Sequence, residues 1–302
     1  MTLARCATGL LLSAVALLRC STGVSCAGAT VKLASGLPAA IAVDATTVYW
    51  VDETLGDKSV KKLVLPDGAT TTLAKAPQDI CALAVAAGVV YFTDVINGTV
   101  MSVPASGGVI TTIASGEASP VAIAVDDTSV YWANRGGAIR AAKLPGGPPV
   151  TLAPAPGPES IAVAAGTIYF GGAYGVMQLP VAGGAATPLS DRTSNAGAIA
   201  LDAASVYWID HPIGLPDRVY KAPHGGGPSV LLATGQDELE NIATDGQSVY
   251  FTDPTRGAVF KVAVGGGEPT ALCTSANPLG IAVDASRLYL GDFALGLLIA
   301  PK

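Results

Sequence analysis

A segment of 12 residues recurs seven times along this chain, at intervals of 38 to 43 residues. Every copy is rich in β-branched and aromatic residues and carries a tyrosine at its ninth position. The copies begin at Ile41, Leu83, Ile123, Ile161, Ile199, Ile242 and Ile281. A period of this length is typical of repeat architectures, in which each unit buries its apolar surface only against its neighbours.

Each repeat unit contains four short runs with the composition of β-strands. In the second unit they lie at 83–86, 89–94, 98–103 and 109–113. The 36 glycines and 21 prolines of the chain cluster between such runs, and no stretch of helical length carries an apolar stripe at 3.6-residue spacing. Four strands per unit at this period predict an all-β fold in which each unit is one blade of a β-propeller.

The two ends of the chain predict that the propeller closes on itself. The seventh unit has only three runs, whereas the segment 30–35 looks like the fourth strand of the other units. Pairing that segment with the last unit would complete a blade and remove an open sheet edge. We therefore expect a single domain over residues 30–302, a seven-bladed propeller closed by its N-terminal strand. A β-solenoid, the other repeat architecture at this period, would not explain the divided last unit.

The tyrosine-containing segments and the stretch at 277–284, NPLGIAVD, resemble a known family. They are similar to the YWTD (low-density-lipoprotein-receptor class B) and NHL-type propellers of the TolB-like group, over nearly all of the chain after residue 29. The resemblance implies an extracytoplasmic recognition scaffold. It also makes a six-bladed ring the alternative, because YWTD propellers usually have six blades. Some relatives are lactonases, lyases or sugar dehydrogenases.

Residues 1–29 have the pattern of an export signal. Arg5 provides the positive start, residues 6–18 form the apolar core, and the small residues at 27–29 fit a cleavage site. Two alternatives are a buried N-terminal helix and lipidation of Cys26, although Gly23 stands where the lipidation motif usually has leucine. We expect an exported protein, periplasmic, cell-surface or secreted, with a lipid anchor if Cys26 is modified.

Charge and length exclude two classes of partner. The net charge is −6 and the pI is about 4.8, whereas binding to a phosphate backbone needs concentrated lysine and arginine. An apolar core of 13 residues is too short for a transmembrane helix, which needs about 20. We therefore expect no nucleic-acid partner, no transmembrane span and a monomer. Cys81 and Cys273, in non-neighbouring units, are expected to be buried small hydrophobes.

Acidic residues that recur in most units are expected to be structural. Such residues follow the first and second strands, where short polar side chains usually cap turns by hydrogen bonding to the backbone. The first set is Asp44, Asp126, Asp202, Asp245 and Asp284, and the second is Asp52, Asp94, Asn134, Asp210, Asp253 and Asp292.

Residues that break the repeat are the candidates for function. Just before each innermost strand most units carry a small or apolar residue, but the fourth and sixth carry Glu159 and Glu240. These units flank the loop of His211, and Glu238, Asp217 and Arg218 could join them. This set is the predicted ligand site of the channel mouth: Glu159, Glu240, His211, Asp217, Arg218 and Glu238. Solvated glutamates at the mouth are the alternative.

The sequence favours a binding or scaffold module for a protein or a small ligand, without a cofactor. The alternative is a lyase-type or lactonase-type propeller enzyme with Ca²⁺ or Mg²⁺ held by Glu159 and Glu240 in the central channel. A third possibility is an envelope protein that assembles with others through its blade rims. His211 is the one candidate for a catalytic base, and nucleophile motifs, phosphate loops and HExxH are missing.

Overall fold

The computed structural model describes residues 30–55, 58–66, 68–75, 79–191, 194–236, 238–274 and 277–302, together with the backbone of 25–26. The export signal with its cleavage site lies outside the described residues except at 25–26. Within the described part the chain forms strands, turns and bends, and no helix there is long and apolar enough to cross a membrane.

The strands form seven antiparallel sheets, and each sheet is one blade of a propeller. The first three blades contain, from the inner to the outer strand, β3 (Pro38–Val43), β4 (Thr47–Asp52), β5 (Ser59–Val64) and β6 (Thr71–Lys75); β7 (Ile80–Ala86), β8 (Val89–Asp94), β9 (Thr99–Pro104) and β10 (Thr111–Ser115); β11 (Pro120–Val125), β12 (Ser129–Asn134), β13 (Ala138–Lys143) and β14 (Val150–Pro154).

The remaining blades follow the same order, with the N-terminal strands added to the last two. Blades 4 to 7 contain β15 (Pro158–Ala164), β16 (Thr167–Gly172), β17 (Gly175–Pro180) and β18 (Thr187–Pro188); β19 (Asn195–Leu201), β20 (Ser205–His211), β21 (Asp217–Pro223) and β22 (Val230–Gln236); β23 (Ile242–Thr244), β24 (Ser248–Asp253), β25 (Ala258–Ala263), β26 (Thr270–Thr274) and β1 (Ser25–Cys26); β27 (Pro278–Val283), β28 (Arg287–Asp292), β29 (Gly296–Pro301) and β2 (Val31–Ala34).

The second strand of each blade is buried on both faces because it packs against a neighbouring blade on each side. In β4, Tyr49 belongs to the apolar cluster shared with blade 2, whereas Trp50 belongs to the cluster shared with blade 7. Successive side chains of a strand point to opposite faces, so an uninterrupted apolar run serves two interfaces at once. This arrangement explains why half of the residues are apolar and only 13% are charged.

The ring is closed as the sequence predicted. The innermost strands follow one another around the axis, and β27 packs against β3 to join blade 7 to blade 1. The N-terminal strand β2 pairs with β29, with Val31 opposite Ile299 and Lys32 opposite Leu298. The structure confirms seven blades of four strands each, with β1 as an added fifth strand at the edge of blade 6, and contradicts both the six-bladed and the solenoid alternatives.

The first set of recurrent acidic residues caps turns, as expected, and so do Asp52, Asp94, Asp253 and Asp292 of the second set. Asn134 instead donates to Glu117, and Asp210 accepts the Ser194 hydroxyl. Asp126 accepts hydrogen bonds from the backbone N–H groups of Thr128 and Ser129 and from the Tyr131 hydroxyl. The same arrangement recurs around Asp44, Asp202, Asp245 and Asp284. After the second strand, the buried carboxylates accept hydrogen bonds from the following turn, as Asp292 does from the backbone of Ala294 and Leu295.

One expectation about the cysteines was wrong. Cys81 lies in the innermost strand of blade 2 and Cys273 in an outer strand of blade 6, and each is disulfide-bonded rather than a free buried thiol. In the backbone register, Cys273 lies opposite Cys26 of β1. The side chain of Cys26, the predicted lipidation site, lies outside the described part of the chain.

Candidate functional site

A β-bulge interrupts the start of most innermost strands, at the mouth of the central channel. The register shifts between Pro158 and Ser160 in blade 4 and between Ala196 and Ile199 in blade 5, with comparable shifts in blades 1, 2, 3 and 7. Bulges re-aim side chains. Glu159 is the bulged residue of blade 4 and Gly197 lies in the bulge of blade 5. Glu240, however, precedes β23, which begins at Ile242.

In each blade, one residue directly follows the second-strand acid or the residue aligned with that acid. These residues form a second ring around the same mouth. The backbone N–H of this residue donates to the segment leading into the innermost strand, at 2.9–3.1 Å in blades 1, 2, 3 and 7. The ring has a different residue in every blade: Glu53, Val95, Arg135, Ala173, His211, Pro254 and Phe293. The repeat therefore does not fix which residue stands at this position.

His211 and Asp217 form the best-ordered polar pair of the mouth. Nδ1 of His211 lies 2.9 Å from Oδ2 of Asp217, whose side chain is only 11% exposed. That same carboxylate oxygen accepts the backbone N–H of Leu239 at 2.7 Å. A carboxylate on Nδ1 orients the ring, and in the neutral imidazole it holds the proton on that nitrogen, which leaves Nε2 as an acceptor.

Gly197 leaves room for the Nε2 edge of the His211 ring. A Cβ at position 197 would lie 2.5 Å from Nε2 of His211, closer than real atoms approach. The carbonyl of Gly197 accepts the Ser160 hydroxyl at 2.5 Å, which ties the bulges of blades 4 and 5 together. The missing side chain therefore lets the imidazole lie over the channel-lining strand.

The other predicted residues are brought to the same side of the mouth, but in different roles. Glu238 is exposed, has a φ of +55° and accepts a hydrogen bond from the Thr255 hydroxyl at 3.0 Å. Glu240 is half-buried, and its backbone N–H donates to Thr252. Arg218 lies on β21 opposite Asp210, and it points to the other face of the blade from its neighbour Asp217.

Arg135 is a mouth residue that the sequence reasoning missed. Burial lowers the pKa of its guanidinium, and the charge of Glu159 opposes that effect. No hydrogen bond joins the two side chains within the described residues, and Nε of Arg135 is buried there without a partner. The guanidinium charge of Arg135 therefore has no direct ion pair with Glu159 within the described residues.

Glu53 is the second residue that was missed. Burial raises the pKa of its carboxyl, Lys58 opposes the rise, and the nearby Asp79 and Asp52 add to it. Lys58 itself is ion-paired with Asp79. Perturbed titrating groups in a concave site are a recognised sign of function. Applying the repeat-breaking test to the position after the second-strand acid would have found both Glu53 and Arg135.

The metal candidates are not gathered into a ligand set by the described residues. Glu159 and Glu240 lie in blades 4 and 6, on either side of His211. Within the described ranges, no group of three or more His, Cys, Asp or Glu side chains could hold a metal ion. What the mouth offers instead is the imidazole of His211, carboxylates on both sides of it, and the half-buried guanidinium of Arg135.

A small apolar cleft opens on the same face, between blades 3 and 4. Its volume is about 100 Å³, and its walls include Pro154, Pro158, Phe170 and Met177, with the half-exposed ring of Tyr174 at the rim. The backbone N–H of Ala155 in this cleft donates to Gly137, two residues after Arg135. Arg135, Glu159 and His211 are not among the residues that line the cleft.

His224 lies on the opposite face, in the turn after β21, and is half-buried. Its ring is tilted by 36° against that of Tyr169 with 5.4 Å between the ring centroids, its Nε2 lies 3.2 Å from the carbonyl of Ser205, and its own carbonyl accepts the Tyr169 hydroxyl. This histidine fastens blade 4 to blade 5 and has no part in the mouth.

No protein-family model and no curated protein matches the chain. Solved structures do match: a streptogramin B lyase, 13% identical over 92% of this chain and 96% of that one, has a TM-score of 0.75. A propeller from the nidogen/laminin complex is 19% identical over 73% and 89%, with a TM-score of 0.59. A chain of the mitotic checkpoint complex is 11% identical over 90% and 94%, with a TM-score of 0.69. At these identities the similarity shows the β-propeller fold alone.

Proposed function

We propose that this propeller is a binding module whose ligand site is the channel mouth between blades 3 and 6. The observation that carries the proposal is the His211–Asp217 pair. Its members come from two strands of blade 5, the Leu239 N–H from the following loop fixes Asp217, and the lack of a side chain at Gly197 leaves room for the Nε2 edge of the ring. Rigid scaffolds with convergent polar groups at a concave mouth are where proteins usually bind ligands.

The arrangement is costly for folding alone. A buried carboxylate must be compensated by hydrogen bonds, and here one of its partners is a histidine that is itself partly exposed. In the corresponding place, the other blades carry residues of unrelated chemistry, so the ring itself does not need a histidine. The pair is better explained as preorganised for a ligand that donates a hydrogen bond to Nε2.

Thermal melting with a library of small polar compounds tests this proposal. A compound that binds the folded state raises the melting temperature, and we expect such compounds to lose their effect in His211→Ala. The matched control is His224→Ala, which removes the other histidine from the opposite face and should keep the effect. Compounds that stabilise wild type and His211→Ala equally would contradict a site at the mouth.

A lyase-type enzyme is the second candidate. The specific observation in its favour is that the carboxylate on Nδ1 prepares Nε2 to take a proton, which is the requirement for a general base. The similar streptogramin B lyase makes an enzyme on this fold a reasonable expectation. A divalent ion between Glu159 and Glu240 remains part of this candidate. Titrating Ca²⁺ and Mg²⁺ while following thermal melting tests it. If the ions raise the melting temperature of wild type no more than that of the double variant Glu159→Gln/Glu240→Gln, the result counts against the ion.

We further propose that the protein is exported and acts as a monomer, on a protein or small-molecule ligand. The support is the sequence pattern of residues 1–29 and the acidic charge. Mass spectrometry of the mature N-terminus would distinguish cleavage near 27–29, lipidation of Cys26 and an intact N-terminus. Recovery of the intact chain from the cytoplasm would contradict export.

A further inference from the structure

A polar cavity lies between blades 6 and 7, on the face of the ring opposite the mouth. Its volume is about 390 Å³. Six of its seven lining residues have polar side chains: Asp245, Gln247, Ser248, Tyr250, Lys261 and Lys302. Small-molecule sites usually measure roughly 300–1,000 Å³, so the cavity is large enough for a small ligand.

Lys302, in the wall of this cavity, departs from the repeat. In most blades the residue directly after the third strand is apolar and packs against an apolar cluster between two blades. These residues are Leu65, Ala105, Leu144, Val181 and Val264. In blade 7 the same position is Lys302, whose ammonium pairs with the Asp245 carboxylate and donates to the carbonyl of Asp284 at 2.9 Å. The interface of blades 6 and 7 therefore has a charged side chain where five others have an apolar one.

In blades 1 and 5 a lysine ties its own blade to the next one. Lys62 of β5 donates to the carbonyl of Ala105, and Lys221 of β21 donates to the carbonyl of Val264. Each lysine lies opposite the repeat tyrosine of its own blade, and each acceptor directly follows the third strand of the next blade. The two half-buried ammonium groups thus have a backbone partner.

Lys261 has the same position in blade 6 but makes no such bond. It lies opposite Tyr250 in the register, and its ammonium is 5.5 Å from the centre of that ring. The residue in the acceptor position is Lys302, and within the described residues the Lys261 ammonium has no hydrogen bond and no ion pair. In that part of the chain, only the tyrosine ring compensates this half-buried charge.

The charges around the cavity favour a ligand with one negative charge. Lys302 is neutralised by Asp245, so the charged side chains of the lining, two lysines and one aspartate, leave a net charge of +1 at Lys261. A dianion would also be repelled by the Asp245 carboxylate. Gln247 and Ser248 add an amide and a hydroxyl, which can hydrogen-bond to hydroxyl groups of a ligand.

We propose that the cavity between blades 6 and 7 binds a small hydroxylated carboxylate, of the size of a six-carbon sugar acid, with its carboxylate on Lys261. A cavity of about 150 Å³ accepts benzene. The volume of about 390 Å³ therefore has room for a six-membered ring with hydroxyl groups. The site lies on the other face of the ring from His211, so this inference goes beyond the proposed function.

The test is an NMR titration of the whole protein with glucuronate and with glucose, which has a hydroxymethyl group in place of the carboxylate. We expect saturable binding of glucuronate and roughly tenfold weaker binding of glucose. Lys261→Gln should weaken glucuronate binding by a similar factor, whereas Lys261→Arg, which keeps the charge, should retain most of it. The matched control is Lys62→Gln, at the same position of blade 1, which should bind as wild type does.

Equal binding of glucuronate and glucose, no loss in Lys261→Gln, an equal loss in Lys62→Gln, or no binding of glucuronate would each overturn the inference. Tighter binding of inorganic phosphate than of glucuronate would overturn the choice of a carboxylate.

The fate of the proposed function is measured separately. His211→Ala should leave glucuronate binding unchanged, because the two sites lie on opposite faces. Loss of glucuronate binding in His211→Ala but not in Lys261→Gln would place the compound at the mouth and contradict the site between blades 6 and 7. Glucuronate binding that depends on Lys261, with no compound whose binding depends on His211, would contradict the proposed function alone.

Discussion

At the scale of single residues, the Asp–Tyr pairs show how one side chain can serve two elements. In Asp126, one carboxylate oxygen caps the tight turn after the first strand and the other accepts the Tyr131 hydroxyl. Burial alone would raise the pKa of this carboxyl, but the hydrogen bonds together lower it. The pair is therefore a folding device, and its repetition around the ring carries no information about a ligand.

Asp126→Ala should lower the free energy of unfolding by about 1–3 kcal/mol, because two turn amides and a tyrosine hydroxyl lose their acceptor. Thermal or urea unfolding measures the change. The matched control is Asp127→Ala, one residue away on the same turn. A loss no larger than that of the control would contradict the capping role.

The same carboxyl predicts a pH dependence with a definite sign. Its pKa is lower in the folded state than in the unfolded state, so its contribution is fully present above the unfolded value of about 4. It is lost as the pH falls through the folded value. Urea unfolding at pH 7 and at pH 3 should therefore show a smaller difference between wild type and Asp126→Ala at the lower pH. A constant difference would contradict this assignment.

Gly197 is the residue on which the geometry of His211 depends. In Gly197→Ala the new methyl group meets Nε2 of His211, so the imidazole must move away from the channel. We expect ligands of the mouth to bind at least about tenfold more weakly, while the melting temperature falls only slightly. Gly225→Ala is the control, since a Cβ there meets nothing within 4 Å on the opposite face. Unchanged binding in Gly197→Ala would contradict the role of Nε2.

At the scale of elements, the blades close their first turn in two ways. Five blades use the aspartate cap, whereas blades 2 and 4 have alanine in place of that aspartate. Their turns instead contain Ala87-Gly88 and Ala165-Gly166, with φ of +48° at each alanine and +73° and +76° at the glycines. Two successive positive φ values are those of a type I′ hairpin turn, which suits the twist of a β-hairpin without a cap.

An alanine at positive φ is strained, so Ala87→Asn should raise the free energy of unfolding by about 0.5–1 kcal/mol. Asparagine tolerates this conformation better than alanine does. In the corresponding turn of blade 1, Ala45 is not at positive φ, so Ala45→Asn should bring no comparable gain. Destabilisation by Ala87→Asn would contradict the turn type.

The blades were predictable from the sequence because strand periodicity, turn residues and the tyrosine repeat agree with one another. The divided seventh unit likewise predicted that the N-terminal strand β2 pairs with β29.

The site was only partly predictable. Position in the repeat identified Glu159 and His211, but the buried Nε of Arg135 and the burial of Glu53 depend on how neighbouring blades cover them, which no linear pattern records. The disulfides of Cys81 and Cys273 were missed for the same reason.

At the scale of the whole molecule, stability depends on the seam between blade 7 and blade 1. The N-terminal strand β2 supplies the outer edge of blade 7, and Leu33 packs there into the apolar cluster that contains Trp50 and Tyr289. Because each blade is buried only against its two neighbours, opening this seam exposes two faces of the ring at once.

Leu33→Ala should therefore lower the free energy of unfolding by about 1–3 kcal/mol, with a single cooperative transition retained. Val31 lies on the same strand but is 55% exposed, so Val31→Ala is the matched control and should change stability by less than about 0.5 kcal/mol. Equal effects of the two substitutions would contradict the packing of the seam.

The central claim is that the mouth around His211 holds the ligand of the proposed function. The chain has only two histidines, one on each face, so their imidazole NMR signals report the two faces separately. During titration with any compound found by melting, the account predicts that the His211 signals shift and saturate while those of His224 stay in place. Shifts at His224 alone, or shifts at neither histidine while the compound binds, would contradict it.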